Sequence, residues 1–366
     1  MNDEYFMRKA LTLARRGSGK TSPNPMVGAL FVRDNIIIGQ GYHRRFGGNH
    51  AEINAIADAE GEIDGATLYV TLEPCCHHGK KTPPCLDALL KYNLERVVIG
   101  TEDPNPQVNG RSVEILRKRG IDTRVGVLTG ECHRLNEAYF KYIQTGIPFV
   151  TLKFAQTLDG RIASATGDSR WISSQKSLRF SHKLRSLHDA VLVGAGTVEK
   201  DDPRLTVRLV KGKSPIRIIA DSRLRIAPGS KVLKEQDIAR TVIVSTSQAD
   251  GRKISSLRKM GIQTLVARED TEGKVDLGDL LSKMGEMNIS SILVEGGKEI
   301  ITSFIRQGLV DKYIVISAPK IMGAGIDAVG NLGITDVDNA LQLSFVKAYR
   351  NGQDLIIEAK PQVDKD

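Results

Sequence analysis

Two short stretches decide the fold of the first half of this 366-residue chain, His50-Ala51-Glu52 and Glu73-Pro74-Cys75-Cys76, with Cys85 nine residues beyond Cys76. One neutral imidazole and two thiolates can fill three tetrahedral positions on Zn²⁺ and leave the fourth position for water. This open position distinguishes a catalytic zinc site from a closed structural one. The stretches therefore predict His50, Cys75 and Cys85 as the ligands of a catalytic zinc ion.

Glu52 is the carboxylate that such a site needs beside its ligands. Because two thiolates cancel the formal charge of Zn²⁺, we expect Glu52 to act as the catalytic base that takes the proton from zinc-bound water. Residues two apart in mid-helix point in different directions, so His50 and Glu52 must share the first turn of a helix. Pro74 before Cys75 is also compatible with a helix start. We therefore predict a site where helix N-termini meet.

An H-x-E motif followed by Pro-Cys and a further cysteine is typical of zinc deaminases. A plainer interpretation stays open, in which these residues form a closed zinc site or a cluster without metal and Glu52 lies at the surface. The four cysteines are too few for a disulfide scaffold, and three of them crowd into one short loop. That clustering favours metal binding in a reducing compartment.

Length and composition indicate a folded protein of two domains. A chain of 366 residues with 40% hydrophobic and 26% charged residues exceeds what one core usually supports. No apolar run is long enough to cross a membrane, and the N-terminus lacks the layout of a signal peptide, so we expect a cytoplasmic protein with no membrane partner. The net charge of +9 fits phosphate-bearing small molecules, nucleic acid or solubility alone.

Both halves alternate strand and helix patterns, which predicts α/β architecture throughout. The helices predicted in the first half cover residues 7–14, 53–59, 85–90 and 113–119, and the strands cover 27–32, 36–38, 68–71, 96–100 and 122–127. The strands predicted in the second half cover residues 149–154, 190–193, 216–220, 241–245, 291–294 and 313–316. Thr145-Gly146-Ile147-Pro148 reads as a hinge. We therefore predict domains of residues 1–146 and 147–366, the second with a mixed or parallel sheet.

Longer stretches resemble one family over nearly the whole chain. In the first half these are Pro23-Asn24-Pro25-Met26-Val27-Gly28, 39–43, 71–75, 82–85 and 103–108, and in the second half 158–161, 171–173, 201–203, 205–208 and 294–297. They are similar to the bifunctional deaminase/reductase family of bacterial riboflavin biosynthesis. The resemblance implies a cytidine-deaminase-like three-layer domain followed by a dihydrofolate-reductase-like α/β domain.

The family implies two consecutive steps on a phosphorylated pyrimidine. Zinc-dependent hydrolytic deamination of 2,5-diamino-6-ribosylamino-4(3H)-pyrimidinone 5′-phosphate comes first, and NADPH then reduces the ribosyl to the ribityl side chain. The resemblance assigns NADPH contacts to Ala155, Trp171, Thr197, Asp201, Ser222 and Gly297. It assigns substrate contacts to Asn24, Ser169, Arg185, Leu205, Arg208 and Glu295. Arg185 and Arg208 suit the ribose phosphate, because guanidinium groups bind phosphate in a fork.

The cysteine spacing leaves one ligand open. In the resembling family eight residues separate the two cysteines, whereas nine separate Cys75 from Cys85. We favour Cys75, with Lys80-Lys81 as a loop insertion, and keep Cys76 as the alternative. His77 and His78 are candidate substrate contacts or ordinary loop histidines.

Gly194-Ala195-Gly196-Thr197 lacks the third glycine of a dinucleotide-binding fingerprint, because Glu199 occupies that position, so a Rossmann fold is not predicted. The alternative function is a nucleic-acid (tRNA) zinc deaminase with a basic accessory domain. An aromatic content of 5% and dispersed basic residues argue against it. We therefore expect a small-molecule substrate, no nucleic-acid partner and a homo-oligomer.

Overall fold

The computed structural model describes residues 2–79 and 82–362, and the chain divides into two compact units of residues 1–146 and 147–366. Gly146, at φ 71°, ends the last helix of the first unit in the left-handed conformation that glycine adopts without a Cβ clash. The division follows directly after it, at the Gly146-Ile147 bond. Among the described residues no helix combines the length and hydropathy that crossing a membrane requires.

The first unit contains six helices and five strands among its described residues. The helices are α1 (Asp3–Ala14), α2 (Ala51–Asp58), α3 (Cys85–Leu89), α4 (Arg111–Lys118), α5 (Thr129–Leu135) and α6 (Glu137–Thr145). The strands are β1 (Gly28–Arg33), β2 (Ile36–Tyr42), β3 (Thr67–Val70), β4 (Arg96–Ile99) and β5 (Asp122–Val125). Each element predicted in this half is present, with ends that differ by a few residues.

The five strands form one sheet in the order β2-β1-β3-β4-β5. Strand β1 is antiparallel to β2 and β3, whereas β3, β4 and β5 are parallel. Asp34 and Asn35, at φ 52° and 62°, form the tight turn between β1 and β2, where two left-handed residues match the twist of the paired strands. This turn joins the two strands that were predicted at residues 27–32 and 36–38.

Helices cover both faces of this sheet because successive strand residues point to opposite sides. Phe31 and Leu68 pack in a buried cluster with residues of α2, α3 and α4. Their neighbours Leu30 and Tyr69 pack on the other face with residues of α1 and α5. The unit therefore has the predicted three layers.

Gly41 brings α2 unusually close to the sheet. A Cβ atom at Gly41 would lie 2.3 Å from the carbonyl oxygen of Ala51 and 2.4 Å from the backbone nitrogen of Ala55, distances that no side chain can occupy. Glycine at this position lets the first turn of α2 rest directly on β2. This contact fixes the distance between the sheet and the residues that begin α2.

The second unit contains eleven strands and five helices among its described residues. The strands are β6 (Phe149–Thr157), β7 (Arg161–Ala163), β8 (Ala190–Gly194), β9 (Ile216–Ala220), β10 (Thr241–Ser245), β11 (Gln263–Val266), β12 (Ser291–Glu295), β13 (Lys312–Ala318), β14 (Ile326–Asp327), β15 (Leu343–Asn351) and β16 (Asp354–Pro361). The helices are α7 (Gln175–Leu187), α8 (Ala195–Asp201), α9 (Gly251–Lys259), α10 (Leu277–Glu286) and α11 (Lys298–Arg306).

Nine of these strands form one mixed sheet in the order β11-β10-β9-β8-β12-β6-β13-β16-β15, and β7 pairs with β14 separately. The pairs from β11 to β13 are parallel, and the last two pairs are antiparallel. All six strands predicted in this half are present, and the mixed sheet is confirmed. Strands β7, β11, β14, β15 and β16 were not predicted.

The chain leaves two neighbouring parallel strands of this sheet in opposite directions. From β8 it continues to β9 on one side, whereas from β12 it continues to β13 on the other side. In open α/β sheets, ligands bind at the carboxyl ends of the strands where the direction reverses. The fold therefore indicates a binding crevice beyond Gly194 and Glu295, the last residues of the two strands.

Candidate active sites

The three predicted zinc ligands lie together in the first unit. His50 caps the N-terminus of α2, Cys75 lies in the loop after β3, and Cys85 is the first residue of α3. Their ligand atoms all lie within 4.8 Å of one another. Nδ1 of His50 is 3.5 Å from Sγ of Cys75 and 3.2 Å from Sγ of Cys85. One imidazole nitrogen and two sulfurs in this arrangement are a donor set that suits Zn²⁺ with an open fourth position.

The predicted helix start at Pro74-Cys75 is wrong. Residues 73–78 have no regular secondary structure, and the helix begins ten residues later, at Cys85 with Pro84 as its cap. The carbonyl groups that would start a helix at Cys75 are engaged elsewhere: Ser112 Oγ donates to Pro74 O at 2.6 Å, and Leu86 N–H donates to Cys75 O at 3.1 Å. The site therefore joins two helix N-termini, α2 and α3, with one loop cysteine.

Glu52 lies in the first turn of α2, as the spacing predicts, and is 3% exposed. Within the described part of the chain, its Oε2 atom is buried without a hydrogen-bond partner. Burial raises the pKa of the Glu52 carboxyl, and negative charge on Cys75 raises it further. A buried carboxyl that has an unused oxygen and a raised pKa is well suited to accept a proton.

Cys76 does not belong to the ligand group of His50, Cys75 and Cys85. Its thiol donates to the Gln107 carbonyl at 3.7 Å, and the ligand group comprises Cys75 rather than Cys76. His78 is exposed and lies 3.8 Å from Asp87. Lys80-Lys81, interpreted above as an insertion, lies outside the described residues.

Asn24 reaches this site through a histidine that sequence analysis did not select. Nδ2 of Asn24 lies 3.3 Å from Nε2 of His43, and Nδ1 of His43 lies 3.0 Å from the Asn49 carbonyl. The His43 and His50 rings are 5.3 Å apart between centroids. Burial lowers the pKa of His43, which keeps its imidazole neutral. The only signal in the sequence was its place in a stretch shared with the family.

The carboxylate of Glu73 holds the loop that carries Cys75 in place by hydrogen bonds. Its two carboxylate oxygens accept backbone N–H groups from Asp103, Gly110, Ser112 and Val113, at 2.9 to 3.4 Å. The last of these groups belong to the first turn of α4, where a carboxylate also interacts favourably with the helix dipole. Glu73 therefore joins the cysteine loop to α4.

In the second unit, Arg185 and Glu295 form a bidentate ion pair. Nε and Nη2 of Arg185, on α7, each donate to one carboxylate oxygen of Glu295 at 2.8 Å. The guanidinium group of Arg185, which we predicted to bind the substrate phosphate, is thus paired with a carboxylate. Burial alone would raise the pKa of Glu295, but the charges of Arg185 and Lys153 outweigh it and hold the pKa at about 2.

Lys153 is a second residue that sequence analysis did not select. It lies on β6 directly beside Glu295 on β12 in the parallel register. Burial lowers the pKa of Lys153, the Glu295 charge partly opposes this shift, and the Arg185 charge adds to it. A lysine inside the apolar stretch Phe149–Phe154 was the signal that could have identified it, because buried lysines need a partner.

Thr197 and Gly297 meet at the crevice indicated by the fold. Gly297 caps α11, and its N–H donates to Oγ1 of Thr197, in the first turn of α8, at 3.2 Å. The other predicted residues lie at more varied positions. Ala155 is on β6, Asp201 ends α8, Ser222 follows β9 and accepts the Val275 N–H, Ser169 is half-buried in a loop, and Arg208 is exposed.

Two predicted residues of the second unit have a backbone conformation that residues other than glycine rarely adopt. Trp171 and Leu205 have φ values of 65° and 54°, in the left-handed region that favours glycine. Trp171 is largely exposed, and its carbonyl accepts a hydrogen bond from Lys320 Nζ. Such strained conformations concentrate at binding sites.

Comparison with known proteins decides the family. Residues 1–101 match the cytidine and deoxycytidylate deaminase zinc-binding region, and residues 148–357 match the RibD C-terminal domain. The chain is 44% identical to the riboflavin biosynthesis protein RibD of Aquifex aeolicus (strain VF5), over 97% of each chain. The chain belongs to the RibD family.

Solved structures of RibD proteins agree with this assignment. The diaminohydroxyphosphoribosylaminopyrimidine deaminase/5-amino-6-(5-phosphoribosylamino)uracil reductase of Thermotoga maritima has a TM-score of 0.86 and 39% identity, covering 98% of this chain and 99% of its own. Acinetobacter baumannii RibD has a TM-score of 0.89 and 33% identity, covering 99% of each. The predicted fold class and the resemblance are confirmed, and the chain is a deaminase/reductase enzyme of riboflavin biosynthesis.

The choice between Cys75 and Cys76 gives a direct prediction within this RibD site. We expect Cys76→Ala to retain the zinc content of the wild-type chain, because its thiol faces Gln107, and Cys75→Ala to lose most of it. Metal analysis of both purified variants measures this. A zinc-free Cys76→Ala protein would contradict the assignment.

Thr82 gives a second prediction, on the orientation of a zinc ligand. Its Oγ1 lies 3.3 Å from Nε2 of His50 and, as acceptor, holds the proton on Nε2 and leaves Nδ1 facing the sulfurs. Such outer partners typically contribute about 10 to 100-fold in metal affinity. We therefore expect Thr82→Val to weaken zinc binding by about this factor and Thr82→Ser to restore it, measured by competition with a chelator. Equal affinities in all three proteins would refute this role.

Proposed function

We propose that the chain carries out the two steps implied by its resemblance, with the substrate and cofactor named there. The first step is hydrolytic deamination of 2,5-diamino-6-ribosylamino-4(3H)-pyrimidinone 5′-phosphate, in which water replaces the 2-amino group and ammonia leaves. The second step is reduction of the ribosyl side chain by NADPH. The observation that carries the proposal is the buried Oε2 of Glu52, in the first turn of the helix that His50 caps, which has no hydrogen-bond partner among the residues that the structure describes.

His50, Cys75 and Cys85 would hold the zinc ion, because their ligand atoms lie within 4.8 Å of one another and match its preferred donors. When bound, zinc supplies a Lewis-acidic position that makes water easier to deprotonate. Cys85 N–H donates to Sγ of Cys75 at 3.3 Å, which stabilises the thiolate form. The backbone of α3 therefore helps to prepare a ligand on a different segment.

Glu52 would move the protons of the first step. Its free oxygen accepts a proton from the attacking water, and its raised pKa favours holding that proton until the ring nitrogen and the leaving ammonia need it. Neutral His43 and the Asn24 amide lie on one side of His50, where they can orient the pyrimidine ring by hydrogen bonds.

The crevice between α8 and α11 would bind NADPH in the second step. Thr197 and Gly297 line the reversal point of the sheet, where backbone N–H groups at the start of α11 suit a phosphate. When bound, NADPH would supply a hydride for C1′ of the ribosyl group, and the ring oxygen released from C1′ would need a proton. Lys153, with its lowered pKa, is suited to supply this proton beside Glu295.

The phosphate of the substrate would contact Arg208 rather than the fork of Arg185. Arg208 is exposed, and its backbone N–H donates to Nδ1 of buried His182 at 3.0 Å, which fixes the segment. Arg185 instead orients Glu295 through two hydrogen bonds. This arrangement keeps one guanidinium for substrate binding and uses the other to position a carboxylate.

The experiment supplies the diaminopyrimidine phosphate and NADPH to the zinc-loaded protein and follows ammonia release and loss of absorbance at the NADPH band. We expect ammonia without NADPH, and NADPH oxidation only after deamination. Absence of both would refute the proposal. Release of ammonia from tRNA at a comparable rate would instead favour the nucleic-acid deaminase.

A further inference from the structure

A buried amide joins two segments of the first unit that are 110 residues apart. Asn136, the residue before α6, is 3% exposed. Its Oδ1 accepts the Met26 N–H at 2.8 Å, and its Nδ2 donates to the Met26 carbonyl at 2.9 Å. An amide has both an acceptor and a donor, so it can pair with both backbone groups of one residue, as a neighbouring strand does. The contact therefore fixes both the position and the orientation of Met26.

Met26 lies in the segment that carries Asn24 to the predicted zinc site. Asn24 is two residues before Met26, and its N–H donates to the Thr21 carbonyl at 2.9 Å, which closes a turn. Pro25 lies between the two residues, and its ring restricts the φ angle there. Because this short stretch has little rotational freedom, a displacement of Met26 also displaces Asn24. The position of the Asn24 side chain therefore depends on Asn136.

The hydrogen bonds of His43 set the direction of the Asn24 amide. Nδ1 of His43 lies 3.0 Å from the Asn49 carbonyl, which can only accept, so Nδ1 carries the proton of the neutral imidazole. Nε2 is then an acceptor, and Nδ2 of Asn24 donates to it at 3.3 Å. With Nδ2 engaged in this way, Oδ1 is the atom with which Asn24 can accept a hydrogen bond from an N–H group of the pyrimidine.

Helix α6 also contacts the loop that holds a predicted zinc ligand. The hydroxyl of Tyr139, in the first turn of α6, donates to Oδ1 of Asp103 at 2.8 Å. The Asp103 N–H in turn donates to Glu73, whose carboxylate holds the cysteine loop. Asn136 and Tyr139 are three residues apart, so the start of α6 links the segment of Met26 to the cysteine loop. The position of that segment is thereby set relative to the zinc ligands.

We propose that Asn136 is a positioning residue of the deaminase. Through Met26, it holds Asn24 at the place from which the Asn24 amide orients the pyrimidine ring. The proposal rests on the deaminase function proposed above and extends it, because Asn136 acts through other residues and needs no contact with the substrate.

The first test replaces the amide. Asn136→Ala removes both hydrogen bonds to Met26. We expect KM for the diaminopyrimidine phosphate to rise by about 10-fold, the effect of about one lost hydrogen bond between protein and ligand. Since Glu52 and the zinc ligands are unchanged, kcat should stay within about 3-fold of the wild-type value. Steady-state ammonia release, metal analysis and circular dichroism of the full chain measure activity, zinc content and folding.

A double-mutant cycle with Asn24→Ala separates positioning from a purely structural role. If Asn136 acts through Asn24, adding Asn136→Ala to the Asn24→Ala protein should raise KM by less than about 2-fold further. A purely structural effect would raise KM by the same factor in both backgrounds. Asn136→Asp, which keeps an acceptor for the Met26 N–H, takes the place of Asn136→Ala in the same cycle if the alanine variant does not fold.

Tyr69→Phe is the matched control for loss of a buried hydrogen bond in the same unit. It removes the hydrogen bond from the Tyr69 hydroxyl to Oδ1 of Asp3, at 3.0 Å. This variant should be less stable than the wild-type protein and should keep its KM. A rise in KM equal to that of Asn136→Ala would show that general destabilisation is the cause.

Amide hydrogen exchange gives a readout that does not depend on turnover. In Asn136→Ala, the Met26 amide should exchange faster by about 10-fold or more, because its acceptor is gone, while exchange in α2 should not change. A wild-type protein that releases no ammonia would refute the proposed function and this inference with it. In an active wild-type protein, an unchanged KM, unchanged exchange at Met26 or equal KM increases in the two backgrounds would overturn the positioning role alone.

Discussion

Glu52→Gln is expected to lower kcat for ammonia release by about 10²- to 10⁴-fold while zinc content and folding stay unchanged. Glutamine fills the same buried space, but its amide cannot accept and return a proton. The free oxygen of Glu52 touches no described hydrogen-bond donor, so its replacement removes no structural hydrogen bond there. Steady-state ammonia assays and metal analysis on the same preparation measure both quantities.

Glu62→Gln is the matched control for this variant, because Glu62 is exposed and lies just beyond α2. It should match wild-type activity. If Glu52→Gln lost its zinc, Glu52 would be a ligand or a ligand support rather than the proton carrier. If it kept full activity, the deaminase mechanism proposed here would be wrong.

Glu295→Gln is expected to damage both the stability of the second unit and its reductase activity. The change leaves Arg185 and Lys153 largely buried without their carboxylate, and breaking such a pair typically costs about 3 to 5 kcal/mol of unfolding free energy. Loss of the ordered site should also lower kcat/KM for NADPH oxidation by about 100-fold or more, which corresponds to about 3 kcal/mol. Chemical denaturation and steady-state kinetics measure the two effects.

The pH dependence of the unfolding free energy follows from the lowered pKa of Glu295. A carboxyl whose folded-state pKa lies at about 2, below its ordinary value near 4.3, adds stability at neutral pH. That contribution is complete above the ordinary pKa and disappears as the pH falls toward 2. The wild-type protein should therefore lose its advantage over Glu295→Gln across this acidic range.

Glu358→Gln provides the control for this pair. Glu358 is in the same unit and accepts a hydrogen bond from the neutral Tyr349 hydroxyl at 3.3 Å, so its replacement leaves no buried cation. Glu358→Gln should lower the unfolding free energy by less than about 1 kcal/mol. Equal losses of unfolding free energy for the two variants would show that the Arg185 pair has no special contribution.

The sequence was sufficient to predict the cluster of His50, Cys75 and Cys85 and most core strands, because both depend on local patterns. The H-x-E and Pro-Cys motifs are local, and strands such as Ala190–Gly194 are continuous apolar runs. Strand β15 escaped prediction for the opposite reason: its side chains are exposed on both faces, so it lacks the alternation that marks a half-buried strand.

The contacts between distant segments could not be predicted. Glu295 and Arg185 are 110 residues apart, and nothing local indicates that the arginine fork binds a carboxylate rather than a phosphate. Lys153 becomes informative only when β6 and β12 are known to be neighbours. The error at Pro74-Cys75 has the same origin, since the groups that occupy those carbonyls come from Leu86 and Ser112.

The carboxylate of Glu73 has a consequence for how the enzyme acquires its metal. It binds four backbone N–H groups of residues 103–113 through protein atoms alone, so this loop and its cysteine are ordered by folding itself. Removal of the zinc ion by a chelator should therefore leave the metal-free site folded. Zinc should then rebind in a single step, at a rate set by diffusion of the ion to the site and not by a slow rearrangement of the polypeptide.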